Sequence, residues 1–426
     1  MSIAVKKIPY SQGREGTAAE LEQSVLIPRI AIQAFGFADN TLEILNSVAD
    51  DRRMRKAHLK VQKGGIQTAT QYFASSATPN LLILETDQEG NDLLTSLGSL
   101  AEVCDAETKV LIIGKTNDVN LYRELMARGI SEYLVGPVTI TELIGSISQL
   151  YCKADAAPLG RTFAVIGAKG GCGASMIAHN VSWVLSKKAE VDVALADLDL
   201  AFGTAGLDFN EDPLQGIAEA MGAPERIDET LLDRLLCQCN ERLNLLAAPA
   251  SLEQTYEYSE DTFELLIETM RKGTPAVVLD IPHAWSNWVR KVLTGADEII
   301  IVAEPDLANL RNTKNMVDLL AQLRPNDKAP YLLLNKVNMP KRPEIKPQEF
   351  AEKLNVDLLP SIQFDAAVFG EAALNGQMVA ETDKRKTLSS VIEQIAFTVL
   401  GRENTRGRKH SFLSPLLSKL GKVTAG

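Results

Sequence analysis

A glycine-rich segment carries the clearest chemical signal in this sequence. It follows an apolar run at 163–167, precedes a stretch of helical character, and consists of Lys169, Gly170, Gly171, Cys172, Gly173, Ala174 and Ser175. Glycines let successive backbone N–H groups converge on an anion at a helix N-terminus, where the helix dipole also favours negative charge. The segment therefore predicts a phosphate-binding loop, although an isolated glycine cluster is also compatible with a turn that holds no ligand.

The lysines of this loop are arranged differently from those of an ordinary P-loop. Lys169 stands at the start, whereas the lysine expected just before the hydroxyl residue Ser175 is replaced by Ala174. A hydrogen bond to a charged group contributes roughly 1.5–3 kcal/mol, so nucleotide binding should be about ten- to a hundredfold weaker unless Lys169 or backbone groups compensate. Hydrolysis should be slow or absent, because the missing cation would have faced the transferring phosphate.

Three aspartates lie where apolar runs end: Asp197, Asp199 and Asp280. In parallel sheets, ligands bind beyond the carboxyl ends of the strands, and the Mg²⁺ that arrives with ATP keeps several waters that acidic residues can orient. We expect Ser175 to bind the metal directly, and Asp197 and Asp280 to act through water. Asp199 could orient an attacking water as a catalytic group. Any one of these acids alone would be explained equally well as a helix N-cap or a solvated strand end.

The elements that position these residues are short and apolar. The runs span 163–167, 191–199, 276–283, 297–305 and 331–336. Short apolar runs separated by helical segments are typical of a parallel sheet that is covered on both faces. The sequence therefore predicts an α/β fold with a mostly parallel sheet.

The loop, the segment 197–203, Asp280 and the pair Asn335-Lys336 together resemble the deviant Walker ATPases of the MinD/ParA group. Within that group, the Gly-Ala-Ser ending of the loop and a receiver-like region before it resemble the CpaE/TadZ proteins of Flp (Tad) pilus assembly. The resemblance covers roughly residues 25–400.

This resemblance implies a P-loop NTPase fold, ATP and Mg²⁺ as cofactors, and a homodimer. Lys169 would be the signature lysine that reaches the partner's nucleotide across the dimer interface, with a catalytic role. Asn335 would contact the adenine. The segments 360–365 and 373–376 resemble the loop that closes over the base, and 307–311 resembles the segment after the fourth strand of the domain.

The N-terminal region has its own alternation of strands and helices. Strands are predicted at 28–35, 80–85, 109–114 and 132–135, with helices at 41–51, 119–128 and 140–151. This order predicts a flavodoxin-like doubly wound domain, which resembles the receiver domains of two-component signalling.

The residues that phosphoryl transfer requires in a receiver are missing. Glu85 stands at the position of the acceptor aspartate, Ala34, Phe35 and Gly36 replace the acidic pair after the first strand, and Gly136 replaces the lysine before a proline. The domain is therefore interpreted as a degenerate receiver that serves contacts.

Length and composition agree with this organisation. A chain of 426 residues exceeds one ordinary core. We predict a flexible segment at 1–25, a receiver-like domain at 26–153, an ATPase domain at 160–400 and a basic tail at 401–426, with the domain boundary near 155 in a small and polar linker. A net charge of −11 argues against a specific nucleic-acid partner. No apolar run approaches the length needed to cross a bilayer.

Cysteines and histidines suggest no metal or redox chemistry. The five cysteines are odd in number and lack zinc-type spacing, which predicts a reduced, cytoplasmic protein. Cys237 and Cys239 are interpreted as small residues on a helix. The four histidines are far apart in sequence and are interpreted as surface or core residues: His58, His179, His283 and His410.

The C-terminal tail is basic, with six Lys and Arg against one acid over 401–426. Phe412, Leu413, Leu416, Leu417 and Leu420 recur at helical spacing. The segment 402–422 could bind an anionic membrane surface or a groove on a partner, and equally could be disordered or packed on its own domain.

Three functional classes remain open at this point. The first is a nucleotide-gated dimer that localises and organises a pilus or secretion machine, with a secretion ATPase or an inner-membrane platform as partner, at the inner membrane or cell pole. The second is an active positioning ATPase of MinD/ParA type. The third is a response regulator with an ATPase-like output, which the residues Glu85 and Gly136 argue against.

Overall fold

The chain has an α/β fold with two β-sheets, as the sequence predicts. The computed structural model describes residue 27 and residues 30–105, 108–151, 159–249, 251–253, 255–384 and 386–402. The predicted N-terminal segment, the linker at 153–158, Cys152, His410 and the tail beyond Arg402 lie outside the described residues.

The first sheet is parallel throughout, with strand order β2-β1-β3-β4-β5, which is the flavodoxin-like order. Its strands are β1 (Ala31–Gly36), β2 (His58–Lys63), β3 (Leu81–Glu85), β4 (Lys109–Gly114) and β5 (Glu132–Val135). Its helices are α1 (Asp39–Ala49), α2 (Ile66–Phe73), α3 (Gly90–Ala101), α4 (Val119–Ala127) and α5 (Ile140–Tyr151), and a 3₁₀ turn spans Arg52–Met54.

Both faces of this sheet are covered. Helices α1 and α5 pack on one face through Leu45 and Ile147, and α2, α3 and α4 pack on the other through residues such as Phe73 and Leu97. Every residue of β3 is buried, which explains why its sequence is continuously apolar up to Glu85. The sequence did not locate β2, because this edge strand is polar and only partly buried.

The second sheet has seven strands in the order β12-β11-β6-β10-β7-β9-β8, parallel except for β8. Its strands are β6 (Arg161–Gly167), β7 (Val193–Asp197), β8 (Cys237–Asn240), β9 (Leu243–Leu246), β10 (Ala276–Ile281), β11 (Glu298–Ala303) and β12 (Tyr331–Leu334). Its helices are α6 (Ala174–Lys187), α7 (Ala205–Asp208), α8 (Ile217–Met221), α9 (Glu229–Leu235), α10 (Glu260–Gly273), α11 (Asn287–Gly295), α12 (Leu307–Leu323), α13 (Pro347–Leu354), α14 (Ala366–Asn375), α15 (Val379–Thr382) and α16 (Thr387–Leu400).

Two apolar cores enclose this sheet. Helices α6 and α16 cover one face, through residues such as Val181 and Ile395. Helices α8 to α13 cover the other, with Phe263 stacked on Trp288 at 4.0 Å between ring centroids. None of the described helices combines the length and hydropathy needed to span a bilayer.

The prediction that Cys237 and Cys239 lie on a helix was wrong. Both belong to β8, which pairs antiparallel with β9, because α9 ends at Leu235 and the chain turns back along the sheet edge. Both thiols are free. Strands β8 and β9 were not among the predicted runs, so the strand before 307–311 is the sixth of this sheet in chain order and not the fourth.

A buried ionic contact joins the part of the chain that contains the first sheet to the part that contains the second. The guanidinium of Arg52, in the 3₁₀ turn, bonds to the carboxylate of Asp327 and lies 3.6 Å from that of Asp297. It also donates to the carbonyl of Gly295 at 2.9 Å. Asp297 directly precedes β11, so the first sheet contacts the amino ends of the second sheet's strands.

Candidate functional site

The glycine-rich loop joins the carboxyl end of β6 to the start of α6. Gly171 and Gly173 have φ of +81° and +90°, the left-handed region that favours glycine. A Cβ on Gly167 would lie 2.7 Å from Cys172 Sγ. Because α6 begins at Ala174, the N–H groups of its first turn have no partner inside the helix and are free to bind an anion. The loop therefore has the backbone conformation that the predicted phosphate cradle requires.

Two side chains that follow β12, those of Asn335 and Lys336, donate hydrogen bonds to carbonyl groups of this loop. The Asn335 amide donates from Nδ2 to the carbonyl of Cys172 at 2.9 Å, and a Cβ on Gly173 would lie 2.6 Å from that nitrogen. Lys336 Nζ donates to the carbonyl of Gly171 at 2.5 Å. Asn335 is 2% exposed, so the structure gives it a loop-supporting contact, and adenine contact stays a prediction.

Two further side chains contact backbone carbonyl groups at the start of the loop. His283 Nδ1 lies 2.9 Å from the carbonyl oxygen of Gly167, and Asn312 Nδ2 donates to that of Ala168 at the same distance. His283 was interpreted above as a surface or core residue, and no sequence pattern pointed to Asn312. A signal was available for His283, which lies three residues after Asp280, while Asn312 is on α12 and only the fold brings it here.

The cations of the site are unevenly placed. Lys169 is exposed at the start of the loop, whereas Ala174 begins α6 without a charge. Lys336 is paired with Glu304 at 2.8 Å. Lys169 therefore remains the loop's own lysine that is accessible to a ligand or a second chain.

Asp197 and Asp280 are direct neighbours on adjacent strands, β7 and β10. Asp197 is fully buried and accepts from the N–H groups of Ala205 at 3.1 Å and Asp199 at 3.2 Å. Burial, and then the charge of Asp280, raises the pKa of Asp197 to about 7. A Cβ at position 203 would lie 2.3 Å from Asp197 Oδ2, so this position in the turn after β7 requires glycine.

Asp280 has buried oxygens that accept no hydrogen bond from any described residue. His179 on α6 lies close to it, with Nε2 3.3 Å from Asp280 Oδ2. His179 Nδ1 lies 2.7 Å from Asp208 Oδ2. Burial opposes a charged imidazole, but the two carboxylates outweigh it and raise the pKa of His179 to about 10. The sequence analysis missed His179, because only the packing of α6 brings it between two aspartates.

Asp199 follows β7 in a turn. Its carboxylate accepts from the N–H of Phe202 at 3.1 Å, and its carbonyl accepts from that of Gly203 at 2.7 Å. The side chain is half-buried, so part of it is accessible at this edge of the sheet. Ser175 is half-buried in the first turn of α6, next to the free N–H groups.

These residues suit a magnesium ion that is held with its waters and a phosphate. Asp280 supplies buried carboxylate oxygens that accept no hydrogen bond from the described residues, and Ser175 supplies a hydroxyl beside the phosphate cradle. In the described part of the chain, no three His, Cys, Asp or Glu side chains could enclose a metal by themselves. Magnesium keeps several waters and binds through one or two protein groups plus phosphate, which matches this sparse set.

The two predicted base-closing segments lie at opposite ends of α14, and the second packs beside α7. Asp365 caps the start of α14, accepting from the N–H groups of Ala367 and Val368, and α14 ends at Asn375. A Cβ on Gly376 would lie 2.7 Å from the carbonyl oxygen of Leu207. The segment 373–376 therefore packs against the region that follows Asp199.

Comparison with known proteins places this site in a family. No protein-family model matches the chain. The septum site-determining protein MinD of Bacillus subtilis (strain 168) is 22% identical over 258 residues, which are 57% of this chain and 90% of MinD. MinD complexed with Mg-ADP from Pyrococcus horikoshii OT3 is 18% identical over 57% of this chain and 96% of its own, with a TM-score of 0.50, and shows the shared fold.

A pilus assembly protein CpaE from Caulobacter crescentus CB15 is 44% identical over 30% of this chain and 97% of its own, with a TM-score of 0.29. Its sequence identity decides the relationship. The chain belongs to the CpaE-type branch of the MinD/ParA superfamily. The P-loop NTPase fold expected from the resemblance is confirmed for the second sheet.

Proposed function

We propose that this chain is an ATP-binding, dimer-forming assembly factor for a Flp-type (Tad) pilus or a related secretion machine, with weak or absent hydrolysis. Membership of the CpaE-type branch supports the pilus role. The observation that carries the nucleotide part is the loop itself, which presents free N–H groups and an exposed Lys169 while Ala174 supplies no charge. Partners would be a second copy of the chain and the machine's secretion ATPase or inner-membrane platform.

The residues of the site would divide the work of binding. The N–H groups at the start of α6 bind the phosphates, and Asn335, Lys336 and Asn312 fix the loop backbone so that these groups keep pointing outward. Mg²⁺, when bound, would neutralise phosphate charge, with Ser175 as ligand and with Asp197 and Asp280 holding its waters.

Slow turnover follows from the loop's charges. With alanine at 174, no cation of the loop faces the transferring phosphate from within the same chain. Lys169 would supply that charge only across a dimer interface. Asp199 would orient water only after its turn gives up the bond to Phe202 N–H. The main effect of bound nucleotide would thus be to control assembly, with little of it hydrolysed.

The experiment that tests this proposal measures dimerisation. Lys169→Ala should lower the dimer population seen by sedimentation velocity with ATP and Mg²⁺, while leaving the melting temperature unchanged. Lys353→Ala is the control, since Lys353 is an exposed lysine paired with Glu349 on α13. Equal dimer populations in Lys169→Ala and the parent would disprove the role of Lys169 across the interface.

A second measurement distinguishes this proposal from the alternative, an active positioning ATPase. The presence of all three aspartates, Asp197, Asp199 and Asp280, favours that alternative. Ala174→Lys should tighten ATP binding by about ten- to a hundredfold if the loop has ordinary geometry. A parent that already turns over at about 1 s⁻¹, alone or with membrane or DNA, would select the active ATPase instead.

For the first sheet we propose a contact role without phosphorylation. The Glu85 carboxylate is buried and already accepts three hydrogen bonds. It is therefore a poor phosphoryl acceptor. Incubation with a small phosphodonor should leave the mass of the protein unchanged, and a mass gain on this sheet would restore the response-regulator alternative.

A further inference from the structure

Two neighbouring helices of the second sheet, α11 and α12, hold carbonyl groups at the start of the phosphate loop. His283, just before α11, has its Nδ1 2.9 Å from the carbonyl oxygen of Gly167, and Asn312 on α12 donates to the carbonyl of Ala168 at 2.9 Å. A groove of about 370 Å³, lined by 283–285 and by α12, lies between the two helices at this end. Each helix therefore reaches the loop through its own hydrogen bond.

The far ends of the same two helices meet at the amino ends of the strands. Arg324, directly after α12, donates to the carbonyl of Leu293 in the last turn of α11 at 3.0 Å. Arg52, from the half that contains the first sheet, joins both helices. It donates to the carbonyl of Gly295, where α11 ends, at 2.9 Å, and it bonds to the carboxylate of Asp327, just after α12. One guanidinium of the first half therefore fixes the ends of both helices.

Anchoring the first sheet does not by itself account for this bridge. Arg55 and Lys56 already pair with Glu264 and Glu268 on α10. Arg52 instead holds a carbonyl and a carboxylate from two different helices with one planar guanidinium, a geometry that a more flexible ammonium does not fix. Because a helix is a rigid element, fixing one end restricts where the side chains at its other end lie. The contacts of Arg52 therefore affect both carbonyl groups at the loop.

We propose that Arg52 is a positioning residue for the phosphate loop. By fixing the far ends of α11 and α12, it keeps His283 and Asn312 on the loop carbonyls, so that the N–H groups at the start of α6 stay directed at phosphate. The inference rests on the proposed nucleotide site and gives the first sheet a regulatory role without phosphorylation. Displacing the first sheet lowers nucleotide affinity, and bound nucleotide strengthens the contact of Arg52, because coupling between two sites is reciprocal.

The main test measures the affinity of Arg52→Ala for a fluorescent ATP analogue with Mg²⁺. The dissociation constant should rise about five- to tenfold, the lower part of the usual range for coupled sites. The variant should fold, because Asp297 keeps its ion pair with Arg271 and Asp327 keeps its ion pair with Arg324. Thermal melting checks this before the titration.

Lys56→Ala is the matched control. Lys56 belongs to the same segment as Arg52, but its described ion pair is with Glu268 on α10, at 2.6 Å. Lys56→Ala should bind the analogue as tightly as the parent, because it leaves the ends of α11 and α12 fixed. Equal affinities in Arg52→Ala and Lys56→Ala would overturn the proposal, whether or not both are lowered.

A second measurement needs no nucleotide, so its failure is distinct from failure of the proposed function. N–H groups at 54–57 donate to backbone carbonyls at 51–54. Without nucleotide, their hydrogen exchange should be faster in the double variant His283→Ala/Asn312→Ala, because releasing the loop ends of the helices loosens their far ends. Asn335→Ala is the control, since it also removes a bond to a loop carbonyl but lies outside both helices.

Exchange at 54–57 that is unchanged in the double variant, or equally faster in the control, would refute the link between loop and first sheet. This experiment also decides the link if Arg52→Ala fails to fold. If the parent binds no ATP analogue at all, the proposed function fails, while the exchange result still decides whether α11 and α12 connect the two sites.

Discussion

The two sheets of this chain carry a buried acid at matching places, and the two carboxylates meet different surroundings. Glu85 ends β3 in the first sheet, and its oxygens accept from Phe37 N–H at 2.6 Å, Ala38 N–H at 2.9 Å and the Thr41 hydroxyl at 2.7 Å. Asp280, near the end of β10 in the second sheet, accepts no hydrogen bond from the described residues.

This difference shows which sheet edge is open to a ligand. Glu85 satisfies the start of α1 from within the fold, so its edge is closed by internal bonds. Asp280 instead accepts no hydrogen bond from the described residues and has His179 beside it at 3.3 Å, so its carboxylate keeps hydrogen-bonding capacity for a ligand. The same architecture therefore supports contacts in one half and a candidate ligand site in the other.

The contact between the halves lies away from that site. Arg52 meets Asp297 and Asp327 at the amino ends of the second sheet's strands, whereas the loop lies at their carboxyl ends. The described contacts of Arg52 therefore lie at the opposite edge of the second sheet from the glycine-rich loop.

The largest effect is expected where the halves meet. Asp297→Ala should destabilise the protein by about 3–5 kcal/mol, because it leaves buried guanidinium groups of Arg52 and Arg271 without this carboxylate. Urea denaturation followed by circular dichroism measures it. Asp192→Ala, which removes an exposed partner of Arg242, is the control and should change little. A loss no larger than that of the control would show that the ionic contact does not hold the halves together.

The next effect tests the closed edge. Glu85→Ala should lower the free energy of unfolding by about 3 kcal/mol, since it leaves two N–H groups and a buried hydroxyl without their acceptor. Glu85→Gln keeps one oxygen acceptor and should cost less. Thermal melting gives the comparison, with the exposed Glu43→Ala as the reference. Should Glu85→Ala melt like the parent, the two edges would not differ as described.

The matching change at the open edge should affect folding less than Glu85→Ala does. Asp280→Asn removes no hydrogen bond from the described residues, and relief of the repulsion between Asp280 and Asp197 should offset the lost contact with His179 at 3.3 Å. Magnesium-dependent binding of ATP should be lost, as isothermal calorimetry with and without Mg²⁺ would show. Asp318→Asn, at an exposed pair on α12, is the control. Undiminished magnesium dependence would remove Asp280 from the site.

The smallest effect concerns the sheet edge at β8. Burial, with the neighbouring Cys237 thiol and Glu211, raises the pKa of Cys239 to about 12. A thiol that stays protonated is a poor nucleophile. Iodoacetamide at pH 8 should modify Cys239 of the native protein more slowly than the same cysteine after unfolding in urea, as followed by mass spectrometry. Equal rates would place Cys239 in a more exposed setting.

The sequence alone determined the parts that depend on local order. The loop 169–175 and the strands that precede Asp197 and Asp280 follow from glycine spacing and continuous apolar runs, since a strand buried on both faces must be apolar throughout. The edge strands β2 and β8 were not predicted, because both are polar and half-exposed and so lack the continuous apolar run of a buried strand.

Only the tertiary structure decided which side chains meet at the site. His179, His283 and Asn312 lie on elements far apart in sequence, and α-helix packing on the sheet brings them to Asp280 and to the loop carbonyls. The same packing shows that Glu85 is satisfied and Asp280 is not. Hydrogen-bond partners depend on three-dimensional distance, which residue types and spacing do not encode for contacts between distant segments.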